Sequence, residues 1–135
     1  MQVWREVEVT INGRTRKVRA LFDSGSSFTV MGYEVLKELF DMVEVKPLVK
    51  PREVVLVDGR KIVIDGYIDS QIMINGYMIE DRIYLSKYIA RKVIVENREL
   101  HLPDLIIGAP TMETWGIELS LEKGDVIIRG GAFLF

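Results

Sequence analysis

The chain has 135 residues, a formal net charge of −2, one histidine and no cysteine. That length suits a single domain able to bury roughly two thirds of its unfolded surface. The missing cysteines exclude disulfides, thiolate metal sites and cysteine nucleophiles, and the acidic balance is a poor match for a phosphate backbone.

No apolar run approaches the ~18 residues of a membrane span, and Met1–Glu6 lacks the layout of a signal peptide. The expectation is a soluble, cytoplasmic protein with no nucleic-acid or membrane partner.

Alternation with period two dominates the chain. Val7, Val9 and Ile11 share one face of a first strand, with Glu6, Glu8 and Thr10 opposite. Asn12-Gly13 follows, a favoured hairpin turn because both residues tolerate positive φ. The return strand carries Val18, Ala20 and Phe22 inward. Alternation then stops at Asp23-Ser24-Gly25-Ser26-Ser27, a small polar run between apolar flanks.

Tyr33, Leu36, Leu39 and Phe40 recur with helical spacing, so residues 33–40 read as a helix. Pro47 and Pro51 mark a loop. A second hairpin is expected around Asp58-Gly59, its long second arm placing Ile62, Ile64, Ile68, Ile72 and Ile74 on one face. Asn75-Gly76 signals a third, continued by Ile79, Ile83 and Leu85. Residues 86–104 mix charge with one apolar run, Val93-Ile94-Val95, and have no clear period.

Leu105-Ile106-Ile107 reads as a short buried strand, broken at Gly108-Ala109. Pro110 can open a short helix through Trp115, and Ile117, Leu119 and Leu121 alternate again. The expected class is mostly β, a closed or barrel-like sheet with one or two short helices in one domain over 1–135.

Chemistry narrows quickly by elimination. A lone His101 cannot build a multi-histidine metal site, and no cofactor or metal is expected. The chain holds no Gly-x-Ser-x-Gly elbow and no phosphate-cradling glycine loop. Carboxylates therefore lead as acid–base candidates. Asp23 is the sharpest of them, because it sits on a tight turn at the end of a buried strand. Gly25 allows close backbone approach, and the hydroxyls of Ser24 and Ser26 can lock the turn. The bland reading of the same tetrapeptide is a solvated turn.

Three features in order resemble the retropepsin-like aspartic proteases: Leu21-Phe22-Asp23-Ser24-Gly25-Ser26-Ser27, a hairpin over 53–66, and Leu105-Ile106-Ile107-Gly108 followed by a short helix and Gly116-Ile117. The resemblance spans roughly residues 5–122. It implies that Asp23 is catalytic and that Ser24 braces paired loops across a dimer axis. It also implies that the backbone of Gly25 meets substrate and that the Ser26 hydroxyl bonds the aspartate.

By the same resemblance, Val57, Asp58, Gly59 and Arg60 form a flap tip touching substrate, and Ile107 and Gly108 form the second loop motif. Ser26-Ser27 and Ala109 stand where many viral members carry the residues of an interchain Arg–Asp lock, so dimer stability must come from elsewhere. The flap tip is charged and has one glycine, unlike the glycine-rich viral flaps.

The implied mechanism needs two carboxylates sharing one proton. Asp69-Ser70 lacks the glycine and lies in the polar register of a strand, so a second Asp23 from a twofold partner is expected. The implied activity is a homodimeric aspartic endopeptidase acting on peptide or protein substrates. The alternative is a catalytically silent dimeric peptide-binding or scaffolding module. The apolar tail 132–135 either joins the dimer sheet or packs on its own core.

Overall fold

A computed structural model describes residues 1–41, 43–56 and 59–129. The tail 132–135, Val57 and Asp58 lie outside the described residues, so neither the dimer-sheet reading of the tail nor those two flap residues is placed.

The first hairpin pairs β1 (Gln2–Ile11) with β2 (Arg14–Asp23) over their full lengths. Asn12 and Gly13 take φ of 50° and 79° at its turn, the left-handed geometry that matches strand twist. A short β3 (Val30–Gly32) leads directly into α1 (Tyr33–Phe40). The helix buries Val35, Leu36 and Phe40, one apolar stripe as its spacing requires. Tyr33 Oη donates to Asp65 Oδ1 at 2.6 Å. Burial, with help from that bond, pushes the phenol up to about 12.

The segment after α1 differs from the sequence reading. Pro47 and Pro51 were expected in a loop, yet both lie in β4 (Lys46–Val55). Strand order explains it: β4 ends the seven-stranded sheet, and its pairing with β5 (Lys61–Ile74) shifts register between Pro47 and Arg52. An edge strand with a bulge is where missing N–H donors are tolerated.

The second turn, Asn75 and Gly76 at φ 48° and 83°, joins β5 to β6 (Tyr77–Ser86). Residues 86–104, unassigned from sequence, contain a separate two-stranded ribbon, β7 (Lys92–Val95) and β8 (Arg98–His101). The chain then returns as β9 (Leu105–Ile107), α2 (Ala109–Trp115) and a closing hairpin, β10 (Ile117–Ser120) with β11 (Asp125–Ile128).

Sheet order is β1-β2-β9-β3-β6-β5-β4, and β5 also pairs with β1, curling the sheet back on itself as expected of a barrel-like fold. Its interior holds the main core, in which Phe22, Phe40, Ile72, Ile83, Leu85 and Ile107 are fully buried. Each such side chain contributes about 1.5–3 kcal/mol relative to exposure. A smaller second core lies where β3 and β9 face the β4–β5 hairpin. Among the described residues no helix is long and apolar enough to cross a membrane, and no cluster of acid, His or Cys side chains could hold a metal.

Candidate active site

β2 delivers Asp23 to the site. Its inward residues Val18, Ala20 and Phe22 anchor the strand, and the aspartate is the last residue before the turn. The residue is only 5% exposed, and a buried carboxylate needs donors. Two are present: Gly25 N donates to Oδ1 at 2.9 Å, and Gln2 Nε2 donates to Oδ2 at 3.1 Å. Ser26 N closes the turn onto the Asp23 carbonyl at 3.1 Å. The solvated-turn reading of this tetrapeptide does not hold.

The Ser26 hydroxyl bonds elsewhere than the resemblance implies. Ser26 Oγ donates to Phe28 O at 2.8 Å, so it braces the loop and does not bond the carboxylate. A serine rotor is free to choose, and here a main-chain carbonyl two residues on captures it. Ser24 lies against the N-terminal strand, with its N and Oγ 3.1 and 3.3 Å from Met1 O.

Gln2 is the contact that residue-by-residue reading missed. Its signal was in the hairpin arithmetic. A two-residue turn at 12 and 13 pairs residues whose numbers sum to 25, and the partner of 23 is 2.

β9 forms the second wall. It runs parallel to β2, pairing Leu21 with Ile106 and Phe22 with Ile107, and antiparallel to β3, pairing Val30 with Ile106. The strand is thus wedged between the two strands that carry the Asp23 loop. Gly108 ends it against that loop. A Cβ there would stand 2.6 Å from Phe28 O and 2.7 Å from Ser26 O, both main-chain atoms, so no side chain fits. Ala109 N donates to Ser26 O at 2.8 Å, completing the brace.

A buried polar chain runs behind this junction. Gly108 N donates to Thr29 Oγ1 at 3.1 Å, the hydroxyls of Thr29 and Thr111 are 2.7 Å apart, and Thr111 Oγ1 donates to Asp81 Oδ2 at 2.6 Å. Each hydroxyl has one proton, so donation runs in one direction and ends on the carboxylate. Burial raises the Asp81 carboxyl above its ordinary range, opposed by the bond from Thr111.

In front of the loop, Val30, Ile89 and Ile106 meet Val54, Leu56, Ile62 and Ile64 from the β4–β5 hairpin. Phe28 packs edge-on to Tyr84 at 5.3 Å, and the Arg52 guanidinium sits 5.5 Å from the Phe28 ring centre. At the hairpin end, Leu56 N donates to Arg60 O at 2.8 Å and Gly59 N to Leu56 O at 2.9 Å. The structure therefore gathers Asp23, Ser24, Gly25, Ser26, Ile107 and Gly108 at one junction, while Gly59 and Arg60 close the hairpin whose arms face it. Asp69 is elsewhere, its carboxylate 3.7 Å from Lys46 Nζ and largely exposed.

Asp23-Ser24-Gly25 thus leaves β2 beside β9, which is itself paired with β3. Residues 7–111 match the family model described as aspartyl protease. The chain belongs to the aspartyl protease family. Its fold is that of the retropepsins.

The retroviral protease-like domain of Ddi1 from Leishmania major superposes with a TM-score of 0.58 at 21% identity, covering 96% of this chain and 88% of that one. EIAV protease in complex with the inhibitor HBY-793 gives 0.59 at 16% identity, covering 90% and 94%. No curated protein matches the chain.

Proposed function

We propose that this aspartyl protease family member is an active endopeptidase whose catalytic pair is Asp23 from each of two identical chains. One observation carries the reading. A single carboxylate is held by two N–H donors on a loop that is itself pinned by main-chain bonds to the Gly108 junction. Among the described residues, no second carboxylate is hydrogen-bonded to Asp23. A twofold axis supplies one, because residues at such an axis meet their own copies.

Two carboxylates ~3 Å apart cannot both ionise, so the pair holds one proton. The ionised member takes a proton from water as the water oxygen bonds the peptide carbonyl carbon. The protonated member gives its proton to the carbonyl oxygen. The tetrahedral diol then collapses: the C–N bond breaks, a proton passes to the leaving nitrogen, and the carboxyl product and amine separate. Gly25 N keeps one carboxylate oxygen fixed throughout, which limits reorganisation during the reaction.

The β4–β5 hairpin acts as the flap. Extended peptide would lie between it and the Asp23 loop by strand-like pairing. Asp23→Asn tests the proposal. It keeps the shape but removes the shared proton chemistry, and cleavage of a diverse peptide library should fall by at least about a thousandfold, with dimers persisting in sedimentation. Equal cleavage by both proteins, or a wild-type dimer that binds peptides and never cuts them, would overturn it. The latter result would select the silent binding module.

A further inference from the structure

The amide of Gln2 donates to Asp23 Oδ2 at 3.1 Å, the oxygen that the Gly25 N–H leaves open. We infer that Gln2 is a positioning residue of the reaction centre, supplying to the aspartate the donor that Ser26 does not. The inference rests on the reading of the chain as a dimeric aspartic peptidase.

Three observations converge on it. Ser26 Oγ is committed to Phe28 O at 2.8 Å. The Asn12-Gly13 hairpin sets Gln2 directly opposite Asp23 in an unbroken ten-pair register, so the backbone places the amide without a search. Met1 O accepts from Ser24 N at 3.1 Å, locking the end of β1 to the same loop.

A neutral donor suits the position. An amide N–H favours the ionised carboxylate and fixes its plane, yet brings no charge that would stop its partner from holding the shared proton. A cation there would stabilise both members as anions and weaken the general acid. Gln2 thus orients the base oxygen without upsetting the sharing on which the chemistry depends.

The test uses the full chain at concentrations where sedimentation shows dimer. Gln2→Met keeps the length and removes the donor. The expected result is about a tenfold fall in kcat with KM within about twofold, the pattern of a lost interaction at the reacting group. Gln2→Glu keeps the shape but sets carboxylate against carboxylate, and should lose more at neutral pH.

A second readout needs no turnover. In wild type the Gln2 side-chain amide NMR signals should move as Asp23 titrates, and the movement should vanish in Asp23→Asn, which separates it from other acids nearby. Wild-type kcat in Gln2→Met, or amide signals indifferent to Asp23→Asn, would overturn the inference. If the wild type cuts nothing while the signals still follow Asp23, the peptidase reading fails and Gln2 remains the donor to its carboxylate.

Discussion

Two connections between sheet strands behave in opposite ways. The six residues 24–29, between β2 and β3, are pinned from several sides: by Met1 O accepting from Ser24 N, by Ala109 N onto Ser26 O, and by Gly108 N onto Thr29. The connection between β6 and β9 is held by Ile89 in the second core and by bonds at the foot of its ribbon. There Leu102 N bonds Arg91 O at 2.8 Å, and Arg91 reaches Asp104 at 3.2 Å and Glu38 at 2.6 Å. Above that foot, β7 and β8 form a ribbon outside both buried cores, with Ile94 79% exposed. Main-chain bonds converge on the short connection that carries the carboxylate, while the longer connection 87–104 holds its ribbon outside the cores.

The largest effect should come from filling the space that joins loop and strand. Gly108→Ala sets a methyl group against two main-chain carbonyls under 3 Å away. Neither can move without shifting the Asp23 loop, so stability should fall by about 3 kcal/mol and peptide cleavage should collapse even in molecules that stay folded. Denaturant melts beside cleavage assays would check it. A variant with wild-type stability and activity would mean the junction is softer than the two carbonyls imply.

A smaller effect is expected behind the junction. Thr111→Val keeps the volume but cuts the hydroxyl chain between Thr29 and Asp81, leaving a half-buried carboxylate short of a donor, at a cost of about 1–3 kcal/mol. Asp81 also sets a pH dependence. Its carboxyl is raised in the folded protein, chiefly by burial. The stability it contributes is therefore complete below its unfolded value of about 3.9 and is lost as pH rises through the higher folded value. Relative to Asp81→Asn, wild type should lose stability over that window. Thermal melts at stepped pH would show it, and a difference independent of pH would refute the cause.

Much of this contrast was legible in the residues, for physical reasons that differ by element. Asn-Gly pairs at 12–13 and 75–76 announce turns because few other residues accept positive φ at two successive positions, and both hairpins stand where expected. The apolar flanks of Asp23 announce a buried strand end, and Leu105-Ile106-Ile107-Gly108 announces the second wall.

The misses share a cause too. β4 was hidden by prolines that only an edge strand can carry, and edge position is a property of the sheet. The β7–β8 turn uses Glu96 and Asn97 at φ 50° and 62°, with no glycine to mark it. The Ser26 hydroxyl could reach either Asp23 or Phe28 on covalent grounds, and the choice belongs to loop conformation.

The smallest expected effect lies in the ribbon. A two-stranded hairpin without a packed face is marginal by itself, and shortening a loop changes closure entropy only slowly. Replacing Val93–Leu100 by a short Gly-containing turn, with Arg91, Leu102 and Asp104 kept, should therefore leave stability within about 0.5 kcal/mol. Asp104 must stay because its Oδ2 accepts from Arg19 N at 2.9 Å while its own N donates to Arg19 O at 2.9 Å, holding β9 beside β2. Calorimetry on the shortened chain is the check. A loss of several kcal/mol would place the ribbon among the elements that fix the site and erase the contrast between the two connections. Unchanged stability with altered peptide preference would make the ribbon a border of the substrate groove.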